Sequence, residues 1–119
     1  MISLSADLFF RAKIEEAAKA LGLERPRSAS SADHAGTLAK EEAEKTGAPV
    51  LVLVELSERT GGVGAVEKIR AAAPPARVVA YGSHVDTATL ARARELGASE
   101  VLARSQFVKD MPRIMKGQE

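Results

Sequence analysis

The sequence predicts an α/β domain: a five-stranded parallel sheet with helices on both faces. Three observations carry this. Val50-Leu51-Val52-Leu53-Val54 and Arg77-Val78-Val79-Ala80-Tyr81 are strand-forming runs without polar alternation, as expected of strands buried on both faces. Between the strand candidates lie segments whose apolar residues recur at helical spacing. The connections are short, which favours strands joined in parallel through crossover helices. At 119 residues the chain makes one domain, residues 1–119.

The elements follow in order. Ile2 to Ser5 is a short alternating first strand, and Asp7 is placed to cap the helix after it. Phe10, Ile14, Ala17, Ala18 and Leu21 form that helix's apolar stripe, and Gly22 stops it. Residues 25–30 hold the weakest strand, because Pro26 and the serines Ser28, Ser30 and the following Ser31 oppose one. Residues 33–45 are rich in Ala and Glu and predict a helix, with Asp33-His34 resembling its cap. Its stripe of Ala35, Leu38, Ala39 and Ala43 is thin, so much of its surface should face water. Pro49 precedes the third strand, which Glu55 ends, and residues 57–62 form a loop. Val63, Val66, Ile69 and Ala73 predict a helix that Pro74-Pro75 stops. The fourth strand, a helix over residues 86–96 stopped by Gly97, and a short strand over residues 101–103 follow. Phe107, Val108, Met111, Ile114 and Met115 line a last helix, which Pro112 should kink or break.

Composition removes several functions. With 45% hydrophobic residues the chain can build a core, but at 3% aromatics it lacks the stacking surfaces of single-strand nucleic-acid binders. The net charge of +1, from 17 basic and 16 acidic residues, gives no general attraction to nucleic acid or to a membrane. No cysteine is present, so disulfides, thiolate catalysis and cysteine metal sites are excluded. No apolar run reaches the roughly 20 residues a bilayer span needs. The first residues do not read as a secretory signal, and a cytoplasmic location is expected.

A five-fold βα alternation alone selects no family, since flavodoxins, receivers and cobalamin-binding domains share it. Local pieces narrow it. Leu8-Phe9-Phe10-Arg11 after the first strand, residues 51–56, and Leu96-Gly97-Ala98-Ser99-Glu100-Val101-Leu102-Ala103-Arg104 together resemble the receiver domain of bacterial response regulators. The resemblance covers nearly the whole chain and implies the flavodoxin-like order of such domains. It also implies five chemical positions. Two carboxylates after the first strand hold Mg²⁺, and an aspartate ending the third strand accepts a phosphoryl group. A Thr or Ser follows the fourth strand, and a lysine the fifth.

This chain departs from most of them. The acidic pair falls on Ser5 and Ala6, with Asp7 one residue late. The acceptor position holds Glu55, whose extra methylene displaces the carboxylate on a scale to which near-attack geometry is sensitive. The switch hydroxyl falls on Gly82, with Ser83 one residue late. The lysine is replaced by Arg104, larger and planar. Ser105 follows it and is placed to cap the last helix. Two readings of Glu55 stay open: a built-in mimic of the phosphorylated state paired with Arg104, or a strand-end carboxylate without remaining chemistry.

The other motifs carry less. Gly61-Gly62-Val63-Gly64 lacks the lysine of a P-loop and the full dinucleotide fingerprint, and reads as a flexible turn. His84, beside Ser83, flanks a helix and is assigned no catalytic role. Arg92, Arg94, Glu95 and Lys109 lie on the fourth and last helices. With the last strand, these form the face that receivers use for partners and dimers. The expectation is therefore a non-enzymatic pseudo-receiver with no cofactor and no metal, working through a regulatory or signalling protein partner or a homodimer. Two alternatives remain. One is a phosphorylatable regulator using Asp7 and Ser83. The other is a ligand or nucleotide module lined by Gly82, Ser83, His84 and Arg104.

Overall fold

The computed structural model describes residues 1–117. Its strands are β1 (Ile2–Leu4), β2 (Arg27–Ser28), β3 (Leu51–Glu55), β4 (Arg77–Gly82) and β5 (Glu100–Ala103). Its helices are α1 (Leu8–Ala20), α2 (Ala32–Thr46), α3 (Val63–Ala72), α4 (Thr87–Glu95) and α5 (Arg104–Met115). The strands form one sheet in the order β2-β1-β3-β4-β5, with every neighbouring pair parallel.

Strand alternation divides the sheet's side chains between two apolar layers. Ile2 pairs with Val52 and Val52 with Val78, and Leu4, Val54, Ala80 and Val101 lie along a second row. These residues face α2, α3 and α4. Leu53, Val79 and Tyr81 point the other way, against Phe10, Ile14 and Ala18 of α1 and Phe107, Met111 and Ile114 of α5. β3 and β4 are buried on both sides, which is why their sequences show no polar alternation.

The helix ends refine the sequence reading. Asp7 caps α1, its Oδ1 accepting from the N–H groups of Phe9 at 2.9 Å and Phe10 at 3.2 Å. Asp33-His34 is not the cap of α2. Ser31 is, accepting the His34 N–H, while His34 Nδ1 accepts the Ser30 N–H at 2.9 Å. Within the stretch read as a loop, Glu58–Thr60 makes a 3-10 turn. Arg104 is the first residue of α5 rather than the end of β5. Ser105 therefore lies inside the helix and caps nothing; the capping position is Ala103.

Pro112 does not break α5, which runs unbroken through it. A helical proline costs about 3 kcal/mol. The helix buries Phe107, Met111, Ile114 and Met115, each worth about 1.5–3 kcal/mol. Burial of the stripe outweighs the lost hydrogen bond, and the helix holds its phase.

A glycine and an arginine close the α2–α3–α4 side. A Cβ on Gly36 of α2 would stand 3.0 Å from the Ala72 Cβ of α3, so glycine lets the helices approach. Arg70, near the end of α3, donates to the carbonyls of Gly97, Pro74 and Ala76 and to the Ser99 hydroxyl. It ties the loops that flank β4 and β5 to one helix end.

Candidate functional site

A parallel sheet sends all strand C-termini to one edge, where an α/β fold forms its crevice. Here that edge collects Ser5 and Ala6 after β1, Glu55 at the end of β3, and Arg104 after β5. Glu55 stands opposite Tyr81 in the β3–β4 register. Strand alternation turns it toward α1 and α5, the side of Leu53 and Tyr81.

The Glu55 side chain is only 3% exposed, and donors surround it. Oε1 accepts the Ala6 N–H at 3.1 Å and the Ser57 hydroxyl at 3.4 Å. Oε2 accepts the Ser5 hydroxyl at 3.3 Å and Arg104 Nη2 at 3.4 Å. A buried carboxylate without partners would carry a heavy desolvation cost. These four contacts are long, but together they occupy both oxygens. The Arg104 side chain remains 48% exposed, so much of its charge is screened and the pair alone contributes weakly. Its guanidinium also lies over the Phe10 ring, 5.3 Å from the centroid.

The loop after β3 is held by residues that the sequence reading did not single out. The Thr60 hydroxyl lies 2.6 Å from the Glu55 carbonyl and 2.9 Å from that of Ser57, and it accepts the Ser57 N–H at 3.3 Å. Thr60 is buried, so this hydroxyl fixes the backbone that carries Glu55. The Ser-x-x-Thr spacing, akin to a capping box, was the available signal.

Beneath the site, Tyr81 stacks on Phe107 at 4.2 Å and on Phe10 at 4.9 Å between ring centroids. The Tyr81 hydroxyl is buried and makes no hydrogen bond. Burial is the main cause that pushes this phenol well above its usual range. The nearby Ser5 hydroxyl eases ionisation, while the Glu55 carboxylate opposes it.

The structure thus brings together Ser5, Ala6, Glu55 and Arg104, and among the described residues neither Gly82 nor Ser83 hydrogen-bonds to Glu55. At Gly82 a side chain would meet the Leu56 Cβ at 3.3 Å and Leu90 Cδ2 at 3.5 Å. A side chain there would press on Leu56 by a few tenths of an ångström. Ser83 Oγ accepts the Val85 N–H at 3.4 Å in a local turn. With His84, Ser83 lines a groove beside Arg104 of about 640 Å³; Gly82 does not line it.

The receiver resemblance implies Mg²⁺, and the donor set does not fit one. Ser5 and Ala6 offer no carboxylate, and Asp7 Oδ1 is engaged in capping α1. Glu55 already accepts four donors. No group of three or more metal-ligating side chains occurs among the described residues. Mg²⁺ takes oxygen ligands in near-octahedral array, and the two carboxylates near this edge, Asp7 and Glu55, are already engaged by other donors.

The four residues named for a partner face separate. Arg92 pairs with Glu95 at 2.8 Å on the exposed side of α4. Arg94 instead donates to the Val101 carbonyl at 3.3 Å, covering the open edge of β5. Lys109 lies on the opposite side of α5, lining the groove shared with α1.

No protein-family model matches this chain, and no curated protein matches it. Solved structures do. The receiver domain of NtrX from Brucella abortus aligns at a TM-score of 0.78 with 19% identity, over 98% of this chain and 94% of that one. NtrX from the same organism in complex with ADP aligns at 0.77 and 19%, and there the chain spans 26% of the longer protein. The beryllofluoride-activated NtrC4 receiver domain dimer aligns at 0.66 and 15%, over 98% and 95%. At these identities the likeness is one of fold: the chain has the flavodoxin-like fold of a response-regulator receiver domain.

Proposed function

We propose that this domain keeps the receiver scaffold without phosphotransfer and acts by binding a regulatory or signalling protein in the bacterial cytoplasm. One observation carries the reading. The carboxylate at the acceptor position is buried and held by Ser5, Ala6, Ser57 and Arg104. A nucleophile must approach phosphorus in line with the leaving group, and a metal must neutralise the transferred charge. Glu55 is turned into its own donors, and no metal site stands beside it. Arg104 already pairs with the carboxylate at 3.4 Å.

The exposed surface of α4, β5 and α5 is the proposed contact for a partner or a second copy. The beryllofluoride-activated NtrC4 receiver is a dimer, which supports self-association as one form of that contact. Arg92→Glu is the sharper probe of this surface, because Arg94 also covers the β5 edge.

The test is chemical. With acetyl phosphate and Mg²⁺, intact-mass measurement should find no phosphoryl adduct, and beryllofluoride with Mg²⁺ should leave the melting temperature unchanged. Stoichiometric labelling of Glu55 would overturn the reading.

A further inference from the structure

The groove beside Arg104 has a chemistry of its own. It runs between α1 and α5, with Phe10 and Val108 as apolar lining. Its ionisable lining residues are Lys13, His84, Arg104 and Lys109, and none is acidic. On a chain with nearly balanced charge, such segregation gives a local positive field. Lys13 and Lys109 are both exposed and take part in no ion pair with a carboxylate among the described residues.

Large exposed apolar side chains border these lining residues in the sequence. Phe9 is 88% exposed, Val85 75% and Leu8 71%. Leu8 and Phe9 share the first turn of α1 with Phe10, and Val85 follows His84. Val108 lines the groove itself. Of the large hydrophobics exposed among the described residues, only Leu23 is more than two positions in sequence from a residue that lines the groove. Exposed apolar residues scattered singly need no explanation, whereas a cluster rimmed by charge marks a contact surface.

We infer that this α1–α5 groove docks an acidic segment of a partner protein, anchored by a large apolar side chain. The apolar anchor meets Val108 and the edge of Phe10, with Phe9 and Val85 each one residue from a lining position. Carboxylates flanking the anchor face Lys13 and Lys109, beside Arg104, which already pairs with Glu55. A small anion would satisfy the cations and leave the apolar rim bare. A neutral apolar segment would cover the rim and leave the cations unmatched. The occupant that answers both is an acidic amphipathic one. The inference rests on the partner-binding reading above and gives that partner its chemistry, on a surface distinct from the exposed side of α4.

Selection from a displayed library of random peptides tests it. Enriched peptides should carry net negative charge around at least one large apolar residue. They should shift amide resonances in the first turns of α1 and α5. Affinity should fall roughly tenfold for Lys13→Glu/Lys109→Glu and weaken with added salt. Phe9→Ser should also weaken binding while circular dichroism stays unchanged, since these side chains hold no part of the core. Neutral or basic consensus peptides, no enrichment, or shifts confined to α4 would overturn the proposal. So would inorganic phosphate or ADP producing the same shifts and displacing the peptides, which would make this a small-anion site. Phosphoryl labelling of Glu55 sinks the phosphotransfer-free reading but leaves the peptide map standing, so the two failures are distinguishable.

Discussion

Glu55 and Tyr81 face each other across β3 and β4, and both are polar groups placed inside an apolar layer. They meet that situation differently. Glu55 accepts from two serine hydroxyls, one peptide N–H and a guanidinium. Tyr81 has no such partner for its hydroxyl, and the proton stays on the oxygen. Because its folded pKa lies above the unfolded value of 10.0, the folded state holds a proton that the unfolded state releases. The resulting stability is fully present below pH 10 and is lost as pH rises beyond it. The chain has one tyrosine and no tryptophan, so phenolate absorbance reads this group directly. Tyr81 should resist ionisation until the protein unfolds. Tyr81→Phe should lose less stability between pH 10 and 12 in denaturant titrations, and at neutral pH it should be as stable as the parent or up to about 1 kcal/mol more. Ionisation at the ordinary tyrosine value in the folded protein would contradict the buried, unpartnered hydroxyl.

The elements show where small side chains and long ones settle the packing. α2 looked weakly apolar because alanine and glycine carry little hydrophobic surface. Those residues are what allow it to lie close on α3, with Gly36 against Ala72. Gly36→Val should therefore cost about 1–3 kcal/mol by overpacking, and Ala72→Gly added to it should recover part of the loss. Chemical denaturation of the single and double variants measures this, and an unaffected Gly36→Val would mean the helices have room to part. β5 is an edge strand, and Arg94 donates to its free carbonyl. The same residue, read from sequence as partner-facing, thereby also shields the edge from pairing. Pro112 illustrates the opposite balance, since the apolar stripe of α5 holds its course through a residue that usually interrupts a helix.

At the scale of the whole molecule, the parallel sheet gathers residues 49 or 50 positions apart into one crevice. On the proposed reading the receiver's chemical positions are altered together, so restoring one should not restore the reaction. Glu55→Asp returns the acceptor type but leaves Ser5 and Ala6 without carboxylates and Asp7 at its cap. It should still gain no phosphoryl mass from acetyl phosphate and Mg²⁺. Its shorter side chain should also loosen the contacts to Ala6 and Ser57, lowering stability by about 1 kcal/mol. Efficient phosphorylation of this variant would show that the acceptor residue alone had silenced the site.

Much of this was legible in the residues themselves. The uninterrupted apolar runs of β3 and β4, the cap at Asp7 and the stripe of α5 are local patterns, because backbone geometry repeats over a few residues. The lack of carboxylates at Ser5 and Ala6 and of a side chain at Gly82 is equally plain, since it depends only on residue type. The even strand–helix alternation sufficed for a parallel sheet. What the tertiary structure decided concerns groups distant along the chain. It turned Ser5 and Ala6 into donors for Glu55, set Leu56 and Leu90 beside Gly82, and moved Lys109 to the α1 side. It also brought Val108 and several cationic residues together along one groove. Burial, hydrogen-bond direction and charge segregation arise only when separate elements pack, so no local pattern could have carried them.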